Sequence, residues 1–177
     1  DYKMSSSSNI LSTSNDGSFY YNTDDKITFF IGNNISIGET SPKKIITPID
    51  MINNGNINDN IVQNIARVLQ TADIDNNLSN GIQLVSFSSS LTNIDFSDEN
   101  NITALLQDIN NSHKNIKTIT KDQAKAHLEE TLYININGID TQYNEQWYLN
   151  ESHLNTTILH TQYNGSNQTT IIQIVDD

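Results

Sequence analysis

Asn60-Ile61-Val62-Gln63-Asn64-Ile65-Ala66-Arg67-Val68-Leu69-Gln70-Thr71 is the stretch that decides the fold class. Ile61, Ile65, Val68 and Leu69 recur at the spacing of one helical face, and Asp59 or Asn60 stands where an N-cap belongs. A helix ending near Thr71 is predicted. On its N-terminal side the period is two. Lys26 to Ile31 is rich in β-branched and aromatic residues, Gly32-Asn33-Asn34 breaks the run, and Ile35 and Ile37 alternate with polar residues up to Gly38, which predicts a β-hairpin. Asn15-Asp16-Gly17 followed by Phe19 and Tyr21 reads as a turn into a strand, and Ile45-Ile46 as a short strand that Pro48 confines to an edge.

On the C-terminal side of the helix a second stripe, Ile102, Leu105, Leu106 and Ile109, follows Asp98 and Glu99, whose charge suits a helix start. Thr120 and Gln123 have the spacing of a capping box ahead of Ala124, Leu128 and Leu132, so a third helix is expected there. From there the period returns to two at Ile134 and Ile136, Trp147 and Leu149, Leu154 to Thr161, and Thr169 to Val175, with Asn164-Gly165 as the best hairpin turn. The expected class is α+β: N-terminal β-hairpins, a central cluster of about three short helices and a C-terminal antiparallel β-meander.

Composition removes several functions. The 177 residues carry 21 acidic against 9 basic side chains, a net charge of -12, and no Lys/Arg cluster offsets that field, which argues against nucleic-acid binding. No apolar run approaches the roughly 20 residues needed to cross a bilayer. The chain has no cysteine, which removes disulfides, thiolate metal sites and cysteine nucleophiles. Asp1-Tyr2-Lys3 reads as a tag remnant and Ser5 to Ser8 as a tether, giving a flexible segment 1–9. Any signal peptide is expected to have been removed. The remaining organisation is a β-plus-helical module over 10–132 and a meander over 133–177, packed on the same domain.

The segments, in order, resemble a module found near the N-terminus of secreted and surface lipoproteins of gammaproteobacteria. The likeness covers roughly residues 10 to 132. It is carried by Asn15-Asp16-Gly17-Ser18-Phe19-Tyr20-Tyr21, Ile27-Thr28-Phe29-Phe30-Ile31-Gly32, Ile46-Thr47-Pro48-Ile49-Asp50, Asn64-Ile65-Ala66-Arg67-Val68-Leu69-Gln70, Asp73-Ile74-Asp75-Asn76, Asn80-Gly81-Ile82 and Ala126-His127-Leu128-Glu129. The same region is similar to the front of accessory-colonisation-factor-type mucin-degrading metalloproteases, and the last forty or so residues are similar to the strand pattern of small lipocalin-like domains. The resemblance implies a virulence-associated protein that is secreted or anchored at the outer-membrane surface, with the periplasm as second choice. Its partner would be a protein or glycan at the cell surface.

The chain is expected to be a non-catalytic binding or adhesion module and not an enzyme. The alternatives are an accessory region of a larger secreted hydrolase and a lipocalin-like carrier of a small ligand. None of His113, His127, His153 and His160 lies in a His-Glu-x-x-His zinc motif, no serine sits in a Gly-x-Ser-x-Gly elbow, and no glycines form a phosphate loop. His127 reads as a half-buried helix residue rather than a base. Asp73, Asp75, Asn77 and Asn80 place alternate oxygen side chains in a short loop, as a Ca²⁺ site requires, although the closing Glu of an EF-hand is replaced by Leu84. Asp95 or Asp98 would have to complete such a site; the competing reading is that these residues only build turns. Tyr143, Trp147 and Tyr148 form the aromatic group suited to stacking on a sugar or flat ligand, although the favoured reading of Trp147 is a core residue of the sheet. An exposed edge of the meander offers a route to self-association, which light scattering would detect.

Overall fold

The structure, a computed structural model, describes residues 1–14, 17–32, 34–78, 81–87, 89, 91, 93–137, 158–163 and 169–174. The chain divides into two compact units, Asp1–Leu128 and Glu129–Asp177. The fold class is α+β, as the sequence indicates.

In the first unit the alternation of residues 27–40 produces an antiparallel pair, β3 (Ile27–Ile31) and β4 (Ile35–Thr40), in which Ile27, Phe29, Ile31, Ile35 and Ile37 are buried. The register shifts between Phe29, opposite Gly38, and Phe30, opposite Ser36, so Ile37 is the extra residue of a β-bulge. Gly38 is required by packing: a Cβ there would fall on Met51 Cβ and within 2.9 Å of the Met51 carbonyl oxygen. Met51 ends a 3-10 helix, Pro48–Met51, started by the Thr47 N–H donating to Asp50 Oδ2 at 2.7 Å.

Residues 1–9 are not the flexible tether expected of them. Tyr2–Met4 is a strand, β1, paired antiparallel to β3 on one side and to β2 (Ile10–Leu11) on the other, giving the sheet order β2-β1-β3-β4. Tyr2 is 2% exposed, packs edge-on to Phe19 at 5.5 Å between ring centres, and lies beside Phe29. The serines that looked like a linker clasp a buried carboxylate. Asp25 accepts from Ser5 Oγ at 2.8 Å, from the Ser6 N–H and Ser6 Oγ at 2.7 Å, and from Asn22 Nδ2 at 2.9 Å. A serine run has nothing apolar to bury, but its hydroxyls can satisfy a charge that the fold has buried.

Two other short strands are replaced by irregular chain. Phe19 and Tyr21 lie outside any strand, with Phe19 inserted among the aromatic rings of the sheet, and Ile45-Ile46 lead into the 3-10 helix instead of pairing. Neither segment has room before a breaker to build a ladder.

Against the sheet pack α1 (Asn60–Thr71) and α2 (Glu99–Ser112). Ile65, Val68, Ile102, Leu105, Leu106 and Ile109 join the sheet residues in one core. Asp98 caps α2 by accepting from the Asn100 N–H at 2.9 Å. Asp59 stands at the N-cap of α1 but makes no cap bond; its carboxylate accepts from the N–H and Nδ2 of Asn56. Helix α1 also buries polar residues that serve as struts. Asn64 Nδ2 donates to Phe96 O at 2.9 Å and Gln70 Nε2 to Ala124 O at 3.1 Å, while Arg67 Nε reaches Ile119 O at 3.0 Å.

Helix α3 (Lys121–Asn137) starts with the capping box read from the sequence: Gln123 N–H donates to Thr120 Oγ1 at 3.2 Å and Thr120 N–H to Gln123 Oε1 at 3.0 Å. It continues through Ile134 and Ile136, where a strand was expected. Once a helix is nucleated each added residue costs little, and the first glycine it meets is Gly138. In the second unit β5 (Ile158–Tyr163) and β6 (Thr169–Ile174) pair antiparallel, with Tyr163 opposite Thr169. These form a separate two-stranded sheet; the expected strand at Trp147-Leu149 and the Asn164-Gly165 turn lie outside the described residues.

Candidate functional site

Residues 82–87 and Ser89 form a strap tied to the helices; from the sequence, Leu84 to Phe87 reads only as a short apolar run. The Ile74 N–H donates to Gln83 O and the Val85 N–H to Ala72 O, both at 2.8 Å, and Leu84 bridges to Asp73. The Ser86 carbonyl lies 2.7 Å from His113 Nε2; a carbonyl only accepts, so this nitrogen carries the proton. Ser89 Oγ donates to Asp108 Oδ2 at 2.7 Å. Thus the ends of α1 and α2 fix the strap, and His113 and Asp108 act as its anchors. Neither was singled out for this from the sequence, because their partners lie 27 and 19 residues away.

Between the strap and the sheet lies a groove of about 700 Å³. Its buried lining is apolar and includes Phe29, Ile31, Ile35, Ile37 and Val85. Its exposed lining is mostly polar, with Ser12, Ser14, Asn34, Gln83 and Ser86 joined by Ile82. An apolar floor under a hydroxyl- and amide-bearing rim is the arrangement common to small-ligand sites, and the volume is in their range.

Beside the strap is the acidic loop. Asp73 follows α1 and is fully buried, and its Oδ1 accepts from the Gln83 N–H at 3.0 Å. Its Oδ2 is buried and takes no hydrogen bond. Burial pushes the Asp73 carboxyl above its ordinary range, opposed by the Gln83 N–H and reinforced by the nearby charge of Asp75. Asp75 is exposed and accepts from the Asn77 N–H at 2.9 Å, closing a tight turn. Asn76 at its apex has φ +55 and accepts from the Lys117 N–H at 2.8 Å, which ties the loop to the connection before α3.

Among the residues proposed from the sequence, Asp73, Asp75 and Asn77 therefore share one loop, while Asn80 lies outside the described residues. Asp95 and Asp98 do not point to the same use. Asp95 accepts from the N–H and Oγ of Ser97, and Asp98 from the Asn100 N–H and Asn101 Nδ2. Among the described residues no group of three or more His, Asp or Glu side chains is placed to hold a metal. Tyr143, Trp147, Tyr148 and His153 lie outside the described residues, and His127 is half-buried on α3. No helix among the described residues is long and apolar enough to cross a membrane. Comparison with known proteins gives no matching family model, no matching curated protein and no matching solved structure.

Proposed function

We propose that this chain is a non-catalytic binding module whose ligand site is the groove between the strap and the sheet. The observation that carries this reading is the groove itself: about 700 Å³, apolar at its buried surface and mostly hydroxyl- and amide-bearing at its exposed one. That lining suits a neutral, amphipathic partner such as a glycan or an uncharged peptide segment, and the net charge of -12 disfavours an anionic one. The setting at a bacterial surface, secreted or lipoprotein-anchored, rests on the sequence resemblance over residues 10–132.

The test is titration of the purified chain against immobilised mucin, a neutral glycan panel and an uncharged peptide library. Saturable binding is expected, lost in Ile82→Arg at the groove and kept in Ile74→Arg, which is exposed but outside its lining. Binding that survives Ile82→Arg would place the ligand elsewhere, and no saturable binding to any probe would end the proposal.

A further inference from the structure

We infer that Asp73 and Asp75 together hold a divalent hard cation, with Ca²⁺ as the type, and that this cation ties the end of α1 to the strap. The first observation is the meeting of two carboxylates in one short loop: Asp75 acts on Asp73 both as a charge and as a side-chain neighbour. The second is independent of loop shape. Asp73 is fully buried, one of its oxygens holds the Gln83 N–H, and the other has no donor at all. No Lys, Arg or His forms an ion pair with Asp73 among the described residues. A carboxylate that keeps a buried oxygen without a donor and has a second carboxylate as its neighbour is left with two ways to be satisfied, a shared proton or a cation.

The cation is the reading that also accounts for Asp75. Its exposure leaves the site open to solvent on one side, which an ion needs in order to enter and keep part of its water shell. Two carboxylates cover only part of the coordination of Ca²⁺, so main-chain carbonyls and water supply the rest. An irregular, partly hydrated oxygen set of this kind suits Ca²⁺ better than Mg²⁺, which demands octahedral geometry. The consequence is mechanical. Asp73 grips Gln83 through Oδ1, and Gln83 O in turn receives the Ile74 N–H, so neutralising Oδ2 stiffens a wall of the groove. The cation site stands independently of any groove ligand and is read on the protein alone.

The experiment uses the full chain stripped with EDTA and titrated with CaCl₂, and separately with MgCl₂, while the backbone amides of Gln83 and Val85 are followed by NMR and the melting temperature is recorded. Saturable shifts at these amides are expected, with a Kd of about 10⁻⁴–10⁻³ M, the range of weak extracellular Ca²⁺ modules. Asp75→Asn, at an exposed position that leaves the core intact, should weaken Ca²⁺ binding at least about tenfold, a scale that even changes around metal ligands reach. A wild-type chain indifferent to Ca²⁺ up to ~10 mM would overturn the inference and leave the shared proton. An unchanged response in Asp75→Asn would overturn it equally.

Discussion

Two buried aspartates in the same unit are treated in opposite ways. Asp25, 5% exposed, receives hydrogen bonds from Ser5, Ser6 and Asn22, and these hold its carboxyl well below its ordinary value, at about 2; the Ser6 hydroxyl contributes most. Asp73, fully buried, receives the Gln83 N–H, keeps an orphaned oxygen, and has its carboxyl raised by burial with the Asp75 charge beside it, against the pull of the Gln83 and Asn77 N–H groups. The difference teaches that burial of a charge does not mark a site by itself. What marks it is the balance between burial and donors. At Asp25 the fold supplies the donors and the charge becomes structural. At Asp73 it does not, and the charge is left to something outside the chain.

The largest effect that can break this comparison comes from the residues around the serine clasp. Tyr2→Ala should cost about 3–5 kcal/mol, the range for removing a large buried ring, because Tyr2 is 2% exposed in the centre of the sheet and its hydroxyl accepts from the Tyr20 N–H. Urea denaturation followed by circular dichroism measures it. A cost near zero would mean that residues 1–9 are the tether the sequence suggested, and Asp25 would then have no clasp.

Next in size is the acid limb of stability. The folded carboxyl of Asp25 titrates at about 2 against an ordinary 3.8, so its contribution is fully present above pH ~4 and is lost as the pH falls through the folded value. Asp25→Asn should therefore melt lower than the parent at neutral pH, and the gap should close between pH ~4 and pH ~2. Melting curves of both proteins across that interval decide the point; a gap that persists at pH 2 would show that the carboxylate charge is not what the clasp holds.

Why one aspartate and not the other was visible in the sequence follows from distance along the chain. The stripes of α1 and α2, the Thr120–Gln123 box of α3 and the hairpin of β3 and β4 are local patterns, and each formed where its spacing put it. Asp73 and Asp75 stand in one loop, so their nearness was legible; the burial of Asp73 under the strap was not, because it depends on Gln83 and Leu84 returning to it. The clasp of Asp25 joins residues 19 and 20 apart, the Tyr2–Phe29 pairing spans more, and the groove needs the sheet and the strap together. Long-range pairing carries no periodic signal. Helix α3 shows the reverse failure, where a correct start was cut short because Ile134 and Ile136 suit a strand locally and yet continue a helix already begun.

The smallest expected effect bears most directly on the contrast, because its sign depends on the solution. In chelator, Asp73→Asn keeps an acceptor at the position of Oδ1 for the Gln83 N–H and offers an amide donor toward Asp75 in place of a like charge. The variant should be more stable than the parent by about 1 kcal/mol, the net worth of one such bond. For the parent in chelator the linkage is opposite in sign to that of Asp25: a raised folded carboxyl pKa means stability that is present at low pH and is lost as the pH rises through the folded value. Saturating Ca²⁺ should reverse the order of the two proteins, since the ion stabilises only the chain that can bind it. Differential scanning calorimetry of both, with chelator and with Ca²⁺, measures all four states. If Asp73→Asn is instead the less stable protein in chelator, the orphaned oxygen is already satisfied within the fold and the two aspartates are alike after all.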